Sequence, residues 1–199
     1  MRYLEHFENL VAMFFARAKE KGDAPFLWAK KQGEWESMSW REAAAKVAAL
    51  ATALRKLGME PGDRVMLVSE NRPEWLLSDL AIMAAGYVTV PAYVTNTERD
   101  HQHILDDSGA RAVIVSTQKL AKTLLPAAIR SNYCEHVIGI EPLPGGQTSN
   151  VCFHDWSAMI AGEQVSPDAV AAQANFARTD LACIIYTSGT GGAPPVPDV

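Results

Sequence analysis

Short apolar runs alternate with longer stretches of helical spacing through the middle of this chain, and this alternation constrains the fold most. The apolar runs are Val65–Val68, Val88–Pro91, Ala112–Val115 and Val137–Ile140. Runs of this kind are typical of strands that are buried on both faces. Because strands that alternate with helices form parallel sheets, the sequence predicts an α/β fold with a mostly parallel sheet and helices on both faces.

Capping and turn residues place the ends of the helices. Ser39–Glu42 has the pattern of a capping box and predicts the start of a helix that ends at Gly58. Pro73 suits the first position of a helix that runs to about Gly86. Further helices are predicted over 97–108 and 118–130.

The flanking segments follow other patterns. Phe26–Lys30 and Glu34–Ser39 predict a hairpin with its turn at Gln32-Gly33. His154–Gly162 predicts a short helix, and the Ala-rich stretch Ser166–Thr179 leads into a last strand.

The start of the chain has the spacing of an amphipathic helix, with apolar residues at Leu4, Phe7, Val11, Phe14 and Phe15. Such a stripe can be a core face or a membrane anchor. We interpret it as a core face, because apolar stripes are an ordinary feature of helices in globular proteins.

The chain ends in an apolar run followed by a loop of hydroxyls and glycines. Ala182–Ile185 predicts a strand covered on both faces, with Cys183 as a small core residue. Hydroxyl groups and glycine N–H groups after a strand can bind phosphate. The candidate nucleotide-binding residues are Thr187, Ser188, Gly189, Thr190, Gly191 and Gly192. A Gly/Ser/Thr cluster alone is equally compatible with a flexible hairpin or surface loop.

The loop is not a Walker A motif, which ends in Gly-Lys-Ser/Thr. Instead, Tyr186–Pro194 resembles the phosphate-binding loop of the AMP-forming, adenylate-forming ligases. That superfamily includes acyl-CoA synthetases, luciferases and peptide-synthetase adenylation domains. Gly191 stands where the superfamily usually has Thr or Ser, and Pro195-Val196 stand where it has Lys-Gly. The lysine contact to phosphate that the superfamily makes is therefore missing.

Other segments resemble long-chain acyl-CoA synthetases in particular. They are Ser69–Trp75, Val90–Tyr93 and His103–Ala110. The resemblance implies that residues 1–194 are the N-terminal portion of an AMP-binding domain, with 195–199 as an atypical tail. The expected fold is then an incomplete N-terminal part of the ligase large domain.

The resemblance also implies a reaction and its substrates. A parent enzyme would activate a carboxylic acid, here a fatty acid, with ATP to acyl-AMP and pyrophosphate, and transfer it to CoA. Mg²⁺ would accompany ATP, and the loop would close over the β- and γ-phosphates. No position matches the adenine-binding loop, the ribose-binding acid or the C-terminal catalytic lysine. We therefore assign no catalytic residue and no metal ligand, and expect the isolated chain to be inactive.

Two alternatives remain open from the sequence. One is another adenylate-forming ligase that acts on an aryl or amino acid. The other is a non-catalytic nucleotide-binding or protein-interaction module.

Composition narrows the classes of partner. The net charge of −5, without a basic stripe, argues against a nucleic-acid-binding protein. No apolar stretch reaches the length of a transmembrane helix, and the first residues do not form a secretory signal. We expect small-molecule substrates as partners, and peripheral contact with a membrane is compatible with this composition.

The cysteines and histidines indicate no metal site. Cys134, Cys152 and Cys183 lack metal-like spacing, and an odd number of cysteines indicates reduced thiols in a cytoplasmic protein. His101 and His103 lie on different sides of a helix. We interpret both as solvated or capping side chains.

Overall fold

A computed structural model of the protein describes residues 6–143 and 150–187. Seven helices and seven strands are assigned in these two ranges. The helices are α1 (Leu10–Lys21), α2 (Trp40–Arg55), α3 (Pro73–Ala85), α4 (Glu98–Ser108), α5 (Gln118–Arg130), α6 (Trp156–Ala161) and α7 (Pro167–Gln173). The strands are β1 (Pro25–Lys31), β2 (Glu34–Ser39), β3 (Arg64–Val68), β4 (Val88–Ala92), β5 (Ala112–Val115), β6 (His136–Gly139) and β7 (Cys152–Asp155).

A five-stranded parallel sheet in the order β4-β3-β5-β6-β7 forms the centre of the fold, which confirms the predicted α/β class. Helices cover both faces. Val65 and Leu67 of β3 face the apolar cluster that includes α1, α2, α3 and α6, whereas Met66 and Val68 face the cluster beneath α4 and α5. Since both faces of β3 are buried from Val65 to Val68, this part of its sequence is continuously apolar.

The predicted starts of α2, α3, α4 and α5 are confirmed. The amide of Glu42 donates to the Ser39 hydroxyl at 3.2 Å, and the Ser39 amide donates to the Glu42 carboxylate at 2.8 Å. These two bonds complete the capping box of α2. Gly86 ends α3 with φ of +90°, a left-handed conformation that glycine adopts without steric cost.

The predicted hairpin is also confirmed. β1 and β2 pair antiparallel, and Gln32 and Gly33 both have positive φ, at 49° and 94°. Positive φ at both central residues is the geometry of the type I′ turn, whose twist matches that of the flanking strands.

One prediction near the end of the chain is wrong in part. Residues 152–155 form the strand β7 rather than the start of a helix, and the helix α6 begins only at Trp156. Asp155 is its N-cap and accepts a hydrogen bond from the Ala158 amide at 2.7 Å. Among the described strands, β7 is paired with β6 alone, and it is only partly buried; it lacks the apolar run that marks a central strand.

The first helix packs in the core, as predicted, but begins later than expected. α1 starts at Leu10, and its residues Val11, Phe14 and Phe15 are buried in the same cluster as α2. Phe7 precedes the helix, and Leu4 lies outside the described residues. Across the described ranges, no helix combines the length and the hydropathy that crossing a membrane requires.

The expectation for His101 is wrong, because its side chain is buried in α4 with 1% of its surface exposed. His103, two residues on, is exposed. His136 and His154 form a further pair between β6 and β7, with His136 Nδ1 3.1 Å from His154 Nε2. The other ring nitrogen of His136 is 3.2 Å from the carbonyl oxygen of Leu57. Burial lowers the pKa of all three of these buried or half-buried histidines.

Ser39→Ala should lower the free energy of unfolding by about 1 kcal/mol, because the α2 N-terminus loses its side-chain acceptor. Urea denaturation followed by circular dichroism measures the change. Ser37→Ala is the matched control, since Ser37 is exposed on β2 and caps no helix. Equal loss in the two variants would contradict the capping account.

The free energy of unfolding should fall as the pH drops below about 6.5, the ordinary histidine pKa. The lowered pKa values mean that the unfolded chain binds protons before the folded chain does, so acid favours unfolding. Burial is the largest effect on the pKa of His136 and lowers it, and the charge of Arg111 acts in the same direction; the hydrogen bond to the Leu57 carbonyl and the charge of Glu135 oppose them without reversing the shift.

Urea midpoints measured across this pH range test the effect. His154→Gln should flatten the pH dependence, because it removes one of the three histidines that bind protons more readily in the unfolded chain. A wild-type curve that is flat between neutral pH and pH 5 would refute the account.

Candidate functional site

Polar residues follow the strands at the carboxyl edge of the sheet. Ser69 and Glu70 follow β3, Ser116 follows β5, and Glu141 comes two residues after β6. In open parallel sheets ligands bind outside this edge, where loops can approach them without disturbing the core. The carboxyl edge is therefore the part of the molecule to test for a ligand site.

Hydrogen bonds fix several of these side chains. The Ser116 hydroxyl donates to the Glu70 carboxylate, and Glu141 accepts from the amide of Gln118 at the start of α5 at 3.2 Å. Arg72 Nε donates to Glu74 Oε2 at 2.8 Å. Burial by itself would raise the pKa of Glu74, but the hydrogen bonds and the charge of Arg72 bring it below its usual value. The sequence did not lead to a shared site for these polar residues. The position of Ser69 and Ser116 directly after strands was the signal that could have indicated one.

The segment 182–187 begins beside β4. Thr89 N donates to Ala182 O at 3.1 Å, and Ile184 N donates to Thr89 O at 2.9 Å, which forms a parallel bridge between Thr89 and Cys183. Since the bridge is parallel, the chain leaves it toward the carboxyl edge. Thr187 follows four residues after the bridge and is exposed.

The prediction that Ala182–Ile185 is a strand covered on both faces is wrong. Only the single bridge joins it to the sheet, and Leu181 and Ile185 are 62% and 61% exposed. Cys183 is exposed and free rather than a core residue. The physical reason is that β4 supplies neighbours on one side, while no other described strand lies along the opposite side.

The inner side of this segment does pack. Ile184 and Tyr186 contact the apolar cluster beneath α4 and α5. The Tyr186 hydroxyl donates to Asp107 Oδ2 at 2.5 Å, and burial together with this carboxylate raises the pKa of Tyr186 to about 12. The tyrosine ring also meets His103 edge-on, with centroids 6.0 Å apart. These contacts fasten the residue that immediately precedes the predicted loop.

Of the predicted nucleotide-binding residues, Thr187 is described by the structure and is exposed. Ser188, Gly189, Thr190, Gly191 and Gly192 lie outside the described residues. Within the described ranges, no group of three or more His, Cys, Asp or Glu side chains is arranged to hold a metal ion.

Comparison with known families decides the class of protein. The profile of the family described as AMP-binding enzyme matches residues 14–194. The chain belongs to the AMP-binding enzyme family. The match includes both β4 and the segment that runs from it to the predicted loop.

Relatives of this AMP-binding chain include CoA ligases. Over 191 residues it is 33% identical to a long-chain-fatty-acid–CoA ligase, FadD15, of Mycobacterium tuberculosis. The aligned region covers 96% of this chain and 30% of that ligase. It is 26% identical to the structure of a benzoate CoA ligase from Burkholderia xenovorans, with a TM-score of 0.65 over 78% of this chain and 28% of that structure.

A third comparison supports the fold alone. A long-chain-fatty-acid-CoA ligase from Archaeoglobus fulgidus, FadD1, superposes with a TM-score of 0.67 at 18% identity, covering 93% of this chain and 36% of that structure. The chain thus spans about a third or less of the length of each of these three proteins.

Tyr186→Phe should loosen the segment against β4, because it removes the hydrogen bond to Asp107 while keeping the ring. A partly exposed bond of this kind contributes about 1 kcal/mol, so the Ile184 amide should exchange with solvent roughly fivefold faster. Hydrogen exchange followed by NMR measures this rate. Tyr133→Phe, on the exposed Tyr133 before β6, should leave it unchanged. An unaltered rate in Tyr186→Phe would show that the hydroxyl does not hold the segment.

Proposed function

We propose that this chain is the N-terminal portion of an AMP-forming ligase that activates a fatty acid as its CoA thioester. In the first step a carboxylate oxygen attacks the α-phosphorus of ATP, the bond to the β-phosphate breaks, and pyrophosphate leaves with acyl-AMP formed. In the second step the CoA sulfur attacks the acyl carbonyl, AMP leaves, and the thiol proton passes to solvent or a base.

The observation that carries the proposal is the family match to residues 14–194, which extends through the predicted phosphate loop. Similarity to a fatty-acid ligase over 96% of the chain supports the choice of a fatty acid. In this proposal residues 1–194 are part of the AMP-binding domain, and 195–199 are a tail of different character.

The proposed role of Thr187–Gly192 is to bind the β- and γ-phosphates. Hydroxyl and glycine N–H donors in a loop at the carboxyl edge would stabilise the charge that pyrophosphate gains as it leaves. The parallel bridge at Thr89 supports this assignment because it directs the chain toward that edge.

Mg²⁺ suits this site as a companion of ATP. Mg²⁺ usually keeps several waters and binds through one or two carboxylates together with substrate phosphates, so it needs no dedicated protein cage. Glu70 and Glu141 are carboxylates at the same edge of the sheet. They are the candidates in the described part of the chain for a direct or water-mediated contact, and Mg²⁺ would neutralise phosphate charge there.

An aryl acid is the second candidate substrate, because the chain is 26% identical to a benzoate CoA ligase structure. A screen of fatty, aryl and amino acids on a complete ligase that contains this segment separates these candidates. Fatty-acid selectivity is the expected result. We place the protein in the cytoplasm, on the ground that its three cysteines are free.

The 199-residue chain alone should form no acyl-CoA from a fatty acid, MgATP and CoA. The resemblance assigns the adenine-binding loop, the ribose-binding acid and the catalytic lysine to segments that this chain does not match. Chromatographic detection of acyl-CoA and AMP measures the reaction, with a boiled sample as the control. Turnover clearly above that control would refute the proposed inactivity.

The rival class is a non-catalytic nucleotide-binding module. Reading the encoding DNA beyond the Ala193 codon in all three frames separates the two. A frame that continues Pro-Lys-Gly into several hundred codons supports the ligase, whereas a native gene that stops after Val199 favours the module.

A further inference from the structure

The outward face of the β1–β2 hairpin carries two exposed tryptophans. In the antiparallel register Trp28 pairs with Ser37, and Lys30 pairs with Trp35. Directly paired residues point to the same side, and alternate residues along a strand share a face. These four residues therefore share one face, and Trp28 and Trp35 are 57% and 66% exposed on it.

The opposite face of the hairpin is the one that packs on the protein. Leu27 and Met38 contact the apolar cluster that contains α1 and α2. Lys31 and Glu36 lie on this same side, where their charged groups pair at 3.1 Å. The tryptophans are therefore not needed to hold the hairpin in place.

The two tryptophans that have more than half of their surface exposed both lie on this hairpin. Of the five tryptophans, Trp156 is buried, and Trp40 and Trp75 are half-buried against the core cluster. Tryptophan buries more surface than most side chains when it is covered, so two exposed rings on one face indicate a surface that is covered in another state.

The charge on this face favours an anionic partner. Lys30 is directly opposite Trp35, and it is the charged residue among the four that share the face. The carboxylates of the hairpin, Glu34 and Glu36, are on the opposite face by alternation. The outward face thus combines two aromatic rings with one ammonium group.

We propose that the outward face of the hairpin docks onto the surface of a lipid bilayer that contains anionic lipids. Tryptophan rings favour the boundary between headgroups and acyl chains, where the ring is apolar and its N–H stays hydrated. A neighbouring lysine can lay its stem along the apolar layer and hold its ammonium at the lipid phosphates. A shallow two-stranded face also suits a planar surface. This docking does not depend on the proposed ligase activity.

The test is flotation of the 199-residue chain with lipid vesicles on a density gradient. Flotation distinguishes binding from aggregation, because aggregated protein stays at the bottom. The wild type should float with vesicles of phosphatidylcholine and phosphatidylglycerol, and less with phosphatidylcholine alone. The double variant Trp28→Ser with Trp35→Ser should bind at least about tenfold more weakly, since two large apolar side chains are removed. Lys30→Glu should weaken binding to the vesicles that contain phosphatidylglycerol and leave binding to pure phosphatidylcholine vesicles unchanged.

Tyr133→Ser is the matched control, because Tyr133 is an exposed aromatic residue far from the hairpin in sequence. It should float like the wild type, and circular dichroism should show every variant folded. A wild type that stays at the bottom with both kinds of vesicle would overturn the proposal. So would a double variant that floats like the wild type. If light scattering finds dimers that the double variant abolishes, a second copy is the occupant, and the bilayer proposal is wrong.

Discussion

A single parallel bridge between Thr89 and Cys183 connects the sheet to the region where the ligand site is predicted. Its two backbone hydrogen bonds hold residues 182–184 parallel to β4 and direct the chain that follows toward the carboxyl edge. Tyr186 adds a side-chain bond to Asp107 on α4. The function proposed for the loop depends on this arrangement, because a loop at the other edge would not meet Glu70, Ser116 and Glu141.

The rest of the fold provides a rigid support for that bridge. β4 is hydrogen-bonded to β3, which is buried on both faces between two separate apolar clusters. Close packing of such clusters leaves a sheet little freedom to deform, so β4 has a defined position. In contrast, the far side of the segment 182–185 exposes Leu181 and Ile185.

The sequence predicted the elements whose local signals agree with their packing. The capping box at Ser39 and the turn at Gln32-Gly33 need only nearby residues, and β3 and β5 are apolar because both of their faces are covered. The wrong predictions concern segments whose structure depends on residues that are distant in the sequence. Within the described ranges, β6 is the one strand that pairs with the half-polar β7, and β4 is the one strand beside the exposed Cys183. The resemblance of the loop to a known motif could be recognised from the sequence. The hydrogen bond between Tyr186 and Asp107 could not, because it joins residues 79 positions apart and has no local signal.

The most direct measurement is a titration of the isotope-labelled chain with MgATP, followed by NMR. The account predicts that the backbone signals of Thr187–Gly192, Glu70 and Glu141 shift in a saturable manner. AMP, which lacks the β- and γ-phosphates, should cause much smaller shifts in the loop. Loop signals that do not respond to MgATP, or that respond equally to AMP, would contradict the claim that this edge of the sheet binds the polyphosphate.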